Sequence, residues 1–477
     1  MREDSSTAYR WLQVSLDKSA RGNLVKQIVE EFDRQLAGGA IKPGDKLPSV
    51  RYLSKFWQVS TFTVVESYER LIAAGRIVSR RGAGYYVESR QPRVAAPDLG
   101  NMGRGGEFSL HTFAADRYQS DARVLPAGAG WLPADWHSEG LIQEAARRAL
   151  RIHPNKLVGY GNVHGLPELR QVLAQRLCKH LMDADESNVL LTRSATHAFD
   201  LILRTLTRPG DRVLIESPGY LNMSALVSQN GCVPVAVDRS CTGLDMEQVD
   251  RLAVEHRPKL AFINTVLQNP LGTTLSTVQC HQLLRLAEQH DFLIVEDDIF
   301  REFAEPQDAS LAAMDGLCRV IRVDSTSKTL SPFLRVGSVY ADDARITAIA
   351  SVKMKTGLTS SELDERVALE VLTSTEYRRC VSRLHHRLES AQASAPRRLK
   401  ELGLAAMTAP SAGMFICASM LDPALSAPAI ARRAKTAGLL LWPGELFTAG
   451  KPENAWFRFN VAYLGHPKLA SFFSRLG

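Results

Sequence analysis

Residues 319–338 read RVIRVDSTSKTLSPFLRVGS. A short apolar run, Val320 to Val323, passes straight into hydroxyls, one lysine at position 328 and one arginine at 335. An apolar segment of that length, closed by turn-forming residues, suits a strand buried on both faces. Four more runs have the same form: NVLLT at 188–192, DRVLIES at 211–217, KLAFINT at 259–265 and DFLIVED at 291–297, with amphipathic helical patterns between them. Strands alternating with helices build an α/β domain around a mostly parallel sheet, whose ligands bind outside the C-terminal strand ends. The polar residues at those ends are Thr192-Arg193-Ser194, Ser217-Pro218-Gly219-Tyr220, Asn264-Thr265 through Asn269-Pro270, Glu296-Asp297-Asp298 and Asp324 through Lys328.

A lysine, an acid, an asparagine and an aromatic at adjoining strand ends suit one chemistry in particular. Pyridoxal phosphate needs an amine for its aldehyde, a carboxylate for its ring nitrogen, and hydroxyls with an arginine for its phosphate. Singly these residues say little, because a lysine after a strand is usually a surface charge and QNP alone is a turn signal.

Working outward to the N-terminus, the charge becomes uneven. Residues 1–90 hold 15 Lys+Arg against 10 Asp+Glu, a net of +5, whereas the whole chain of 477 residues carries +7. A basic module on a nearly neutral body points to an anionic partner such as DNA. Within it, Leu24, Val25, Ile28, Val29, Phe32 and Leu36 recur at helical spacing until Gly38-Gly39. A short helix with Val50, Leu53 and Trp57 follows, then Ser60 as the N-cap of another with Val64, Tyr68 and Leu71. Such a pair forms a helix-turn-helix. Ile77-Val78 and Tyr85-Tyr86-Val87 read as strands around the basic tip Arg80-Arg81-Gly82-Ala83-Gly84, a wing. The second helix of such a module offers its N-terminal residues to base edges, here Ser60, Thr61 and Thr63, while Arg51, Arg80, Arg81 and the backbone at Gly82 serve the phosphates.

The composition suits a soluble globular chain, with 45% hydrophobic and 23% charged residues. No apolar run reaches membrane-spanning length and MREDSSTAYR has no apolar signal core, so a cytoplasmic protein with no membrane partner is expected. Seven cysteines without a C-x-x-C pair argue against a disulfide framework and a zinc site, and His111, His137, His153 and His164 show no metal-ligand spacing. No metal is expected.

The N-terminal segment resembles the winged helix of GntR-type bacterial regulators, whose motif run appears here as LPSVR, VSTFTV, Tyr68 and the GAG wing. The usual arginine after the serine is Thr61 here, so a common guanine contact is missing. The region from about residue 120 onward resembles the fold-type I aminotransferases, a large domain with a mostly parallel sheet plus a smaller C-terminal domain. Together they resemble the MocR/GabR subfamily of GntR regulators. The boundaries read from the sequence are 1–88 for an α+β winged helix-turn-helix, 89–119 for a Pro/Gly-rich linker and 120–477 for the aminotransferase-like domain.

The resemblance implies roles. Lys328 is the aldimine lysine, and Arg335, Ser325 and Ser327 lie on the cofactor phosphate with the loop Ser194, Ala195 and Thr196. Asp297 pairs with the pyridine nitrogen, Asn269 bonds the phenolic oxygen and Tyr220 stacks on the ring. Tyr160 reaches the phosphate of a partner subunit, which implies a head-to-tail homodimer with shared sites, and Arg458 clamps a substrate carboxylate. Departures bear on turnover. In TRSATHAF the family's Gly and Ser are Ser194 and Ala195, and His197 replaces a Gln, which should alter the backbone cradle for phosphate. Ile299 stands where an aromatic usually follows the acids. The expectation is a bacterial one-component transcriptional regulator that binds double-stranded operator DNA. It senses pyridoxal phosphate or a small amino compound at Lys328, with at most residual transaminase activity. The alternatives are an active aminotransferase with a DNA-binding appendage, and a large domain that only dimerises.

Overall fold

The computed structural model describes residues 24–80, 82–88, 124–138, 140–151, 158–178, 184–422, 426–450 and 454–476, with residues 16 and 452. Arg81 and the segment 89–119 lie outside them. The chain divides into two compact units, within 1–107 and 108–477.

The first unit packs α1 (Leu24–Ala37), α2 (Val50–Trp57) and α3 (Thr61–Ala73) against the hairpin of β1 (Ile77–Arg80) and β2 (Gly84–Val87). Ile28, Phe32, Leu53, Trp57, Val64, Tyr68 and Leu71 form its core, closed by Ile77 and Val87 across the hairpin. Tyr68 is wholly buried because its hydroxyl has a partner there, the Pro48 carbonyl at 2.7 Å. Ser49 and Ser60 cap α2 and α3, accepting the N–H groups of Tyr52 at 3.2 Å and Thr63 at 3.0 Å. Between them Gln58 takes a left-handed conformation, φ 52°, that ends α2 and turns the chain into α3. The wing bends at Gly82 and Gly84, φ 77° and 103°, where side chains rarely fit.

The second unit is built on an eight-stranded sheet in the order β3-β10-β9-β8-β7-β4-β5-β6. Its members are β3 (Val189–Thr192), β4 (Arg212–Ser217), β5 (Val233–Ser240), β6 (Gly243–Leu244), β7 (Leu260–Ile263), β8 (Leu293–Asp297), β9 (Val320–Ser325) and β10 (Gly337–Tyr340). The five strands read from the sequence are β3, β4, β7, β8 and β9, and the pairs β9–β8, β8–β7, β7–β4 and β4–β5 are all parallel. Strand β10 runs against both β3 and β9. Apolar clusters cover the two faces, one centred on Leu283, Phe292 and Ile294 and the other on Phe199, Phe262 and Val295. That double burial is why these strands read as unbroken apolar runs.

A second sheet of four antiparallel strands, β11 (Leu404–Ala406), β12 (Phe415–Met420), β14 (Trp456–Asn460) and β13 (Trp442–Pro443), packs with the helix Thr375–Glu401 around Leu384, Leu388, Phe457 and Phe459. Thus the larger unit has the mostly parallel sheet and the smaller C-terminal subdomain. Among the described residues no helix is long and apolar enough to cross a membrane.

Candidate cofactor cleft and nucleic-acid interface

The strand ends converge on one cleft of about 170 Å³, closed by the second sheet. Asp297 ends β8, Ser325 ends β9 and Lys328 follows three residues later. Tyr220 comes from the loop after β4, Asn269 from the loop after β7, and Ser194, Ala195 and Thr196 from the turn after β3. Arg335, Ser327 and Ile299 also line the cleft, and β14 supplies Arg458.

Asp297 is the site's buried acid. Loss of water lifts its pKa to about 7; the Ile299 N–H at 3.4 Å opposes the rise, Asp298 and Glu216 add to it, and Lys328 opposes it. Its neighbour Asp298 is equally buried but is neutralised by Arg301 and by Arg322 at 2.8 Å. So Asp297, not Asp298, faces the cleft. Asn264 organises this end of the sheet: its side chain donates to the carbonyls of Asp297 at 2.7 Å and Val266 at 3.1 Å, and accepts from the Asn269 N–H at 2.9 Å.

Lys328 Nζ donates to the Gly130 carbonyl at 2.5 Å and lies 5.9 Å from the Phe300 ring centre. The Tyr220 hydroxyl shares a hydrogen bond with Thr196 Oγ1 at 3.0 Å and accepts from Asn222 Nδ2 at 2.9 Å, which fixes its ring at the cleft wall. Arg458 is almost fully buried. It donates to Asn269 Oδ1 and the Gly128 carbonyl, and its guanidinium lies 4.1, 4.5 and 4.8 Å from the ring centres of Phe415, Trp442 and Phe447.

The other end of the cleft meets a helix N-terminus. The helix Ala195–Leu206 begins there, and first-turn N–H groups have no acceptor within their own helix. Ser194 caps it, accepting the His197 N–H at 3.1 Å. Ser325 and Ser327 share a hydrogen bond of 2.9 Å nearby, and Arg335 is exposed at the rim. The sequence led us to expect that losing a glycine at 194 alters this backbone. Ser194 itself has φ 178°, an extended conformation that any residue adopts without strain. The close approach here is at Gly337, where a Cβ would lie 2.5 Å from the carbonyl carbon of Ser194 and 2.8 Å from the Ala195 nitrogen. His197, pushed to about pKa 4 by burial and Arg193, is a neutral ring whose Nδ1 accepts the Arg193 N–H at 3.2 Å.

One expected residue lies elsewhere. Tyr160 is 86% exposed and does not line the cleft of its own chain. Trp131 and the rings around Arg458 carry no local signal in the sequence: Trp442 and Phe447 lie close together, but Phe415 comes from a distant strand.

In the first unit Ser60 and Thr61 are exposed at the start of α3 and Thr63 is half-buried. Arg51 is exposed on α2, and Arg80 stacks its guanidinium 4.6 Å from the Tyr86 ring centre beside exposed Gly82. The reading missed Phe62, 74% exposed between the two threonines.

A mostly parallel sheet with these strand-end groups and a second small sheet defines an aminotransferase fold. The chain belongs to the aminotransferase class I and II family, whose model matches residues 124–476, and residues 24–87 match the bacterial regulatory proteins of the gntR family. Over 450 residues it is 26% identical to the uncharacterized HTH-type transcriptional regulator YdcR of Escherichia coli, covering 92% of this chain and 95% of that one. It is 25% identical to the HTH-type transcriptional regulator NorG of Staphylococcus aureus strain USA300, over 78% of this chain and 85% of NorG. Among solved structures, the α-aminoadipate aminotransferase LysN of Thermus thermophilus, complexed with N-(5'-phosphopyridoxyl)-L-leucine, superposes with a TM-score of 0.67 at 24% identity, over 76% of this chain and 95% of LysN. These likenesses establish the architecture: a GntR-type helix-turn-helix fused to an aminotransferase-like domain.

Proposed function

We propose that the protein is a DNA-binding transcriptional regulator of the MocR/GabR type whose aminotransferase-like domain binds pyridoxal phosphate and senses a small amino compound. One observation carries the cofactor reading: a buried acid raised to about pKa 7 and a lysine share a cleft with a helix N-terminus. An uncompensated buried carboxylate suits a cationic ring nitrogen, and a helix N-terminus suits a phosphate. Bound there, pyridoxal phosphate supplies an aldehyde that reacts reversibly with amines and a ring that withdraws electrons.

The chain's own residues do the rest. Asp297 would hold the ring-nitrogen proton, Asn269 would bond the phenolic oxygen, and Tyr220 would cover the ring face. Ser194, Ala195 and Thr196 with Ser325, Ser327 and Arg335 would hold the phosphate, and Lys328 Nζ would be the amine presented to the aldehyde. Arg458 would receive the carboxylate of an amino ligand through its guanidinium fork. Tyr160, exposed on its own chain, extends to the phosphate of a second copy, making a head-to-tail homodimer. Ser60, Thr61, Thr63, Arg51, Arg80, Arg81 and Gly82 meet double-stranded operator DNA, and the place of action is the bacterial cytoplasm. A sensor needs only unequal affinity for the ligand in two conformations, so sustained turnover is not required.

The test is the visible spectrum of the purified protein with added pyridoxal phosphate, followed by borohydride reduction and peptide mapping. A yellow protein with the adduct on Lys328 supports the reading; a colourless protein with no adduct overturns its cofactor half. A second reading, a working aminotransferase, is favoured by the presence of Lys328, Asp297, Asn269 and Arg458 in one cleft. Sustained multiple turnover with amino donors and oxo-acid acceptors would establish it.

A further inference from the structure

We infer that the N-terminal end of α3 reads thymine through its methyl group, with Phe62 as the contacting side chain. This rests on the DNA-binding reading above and names the base that reading leaves open.

Phe62 is the second residue of α3 and is 74% exposed. Folding does not call for it, because the packed face of α3 is Val64, Ser67, Tyr68 and Leu71 and the winged core is complete without Phe62. The hydroxyls on either side are committed to local structure. Ser60 Oγ accepts the Thr63 N–H at 3.0 Å and shares a hydrogen bond of 2.7 Å with Thr63 Oγ1. What projects from the tip is then the phenyl ring of Phe62 beside exposed Thr61.

The charge around that tip suits a polyanion. The first turn of α3 carries no acid, and Glu66, one turn on, is paired with Arg70 at 2.7 Å. Arg51 and Arg80 are exposed in the same unit. A helix end of this kind favours phosphates close to it. In the major groove the apolar mark is the C5-methyl of thymine, which phenyl and threonine methyl groups read, whereas guanine calls for a bidentate cation that VSTFTV does not contain.

The test uses the full-length protein and a pool of random-sequence duplexes. From the enriched half-site each thymine is replaced in turn by deoxyuridine, which removes only the methyl group. Wild type should lose about 3–5-fold in affinity at one or two adjacent positions. Phe62→Ala should bind thymine and deoxyuridine duplexes equally at those positions. An enriched site with no methyl-sensitive position, or a Phe62→Ala protein that keeps the sensitivity, overturns the inference while DNA recognition stands. Failure to enrich any sequence overturns both.

Discussion

Arg458 donates from Nη1 to Asn269 Oδ1 at 2.5 Å, tying β14 of the small sheet to the loop after β7 of the large one. The same guanidinium donates to the Gly128 carbonyl at 2.7 Å and lies 4.1 and 4.5 Å from the ring centres of Phe415 and Trp442. The cation is therefore positioned before any ligand arrives. Arg458→Ala should destabilise the large unit by about 2–4 kcal/mol, since it unpairs a buried carbonyl and empties packed space. Arg458→Lys keeps the charge but loses the planar fork, so binding of amino acids should weaken about 10-fold or more while amines lacking a carboxylate are unaffected. Thermal melts and spectral titrations with both ligand classes check this.

Asp297 keeps its proton in the folded chain to about pH 7, against an ordinary value of 3.8. Between those values the folded state binds a proton that the unfolded state releases, so stability falls as pH rises through that window and is level above it. The fall assignable to Asp297 is at most about 4 kcal/mol. Urea unfolding of the cofactor-free protein at pH 5 and pH 7.5 should show a smaller decline for Asp297→Asn than for wild type. Added pyridoxal phosphate should raise the wild-type Tm and raise that of Asp297→Asn much less.

Gly337→Ala places a methyl group against the backbone of Ser194 and Ala195. Neither atom belongs to a flexible side chain, so the turn between β3 and the helix Ala195–Leu206 must shift. The variant should lose pyridoxal phosphate affinity by at least about 10-fold through displacement of the helix N-terminus. Ser194→Gly, at an extended φ, should change it little. Absorbance titrations of both variants distinguish the two glycine positions.

Much of this arrangement is legible in the sequence because its strands are buried on both faces. Val189–Thr192 and Leu260–Ile263 are buried at every position and announce themselves as apolar runs. Strand β10 is harder to read because it is only four residues long and opens with Gly337 and Ser338, the serine being buried with its hydroxyl donated to Tyr340 Oη at 3.0 Å. The short strands of the second sheet are harder to read because both their faces are buried: Phe457 and Phe459 share a core with the helix Thr375–Glu401, while Trp456 and Cys417 pack into another cluster. Asp297 and Asp298 are indistinguishable as VEDDIF, and only the folded positions of Arg301 and Arg322 show which acid is already neutralised. The aromatic enclosure of Arg458 is a purely tertiary feature.

Phosphate contacts from the winged unit should show in the salt dependence of DNA binding. Arg51→Ala and Arg80→Ala should each weaken binding to all duplexes alike and reduce the slope of log K against log[salt] by about 1. Fluorescence anisotropy across a salt series, with a selected and a scrambled duplex, measures the slope and the specificity together.

If chemistry at Lys328 governs DNA binding, the affinity of the full-length protein for its selected duplex, with pyridoxal phosphate present, responds as amino compounds are titrated in. At least one amine should shift the wild-type affinity about 5-fold or more, with a matching spectral change, and Lys328→Ala should respond in neither. An equal affinity shift in Lys328→Ala, or a wild-type protein that no amine alters, would contradict that role of Lys328.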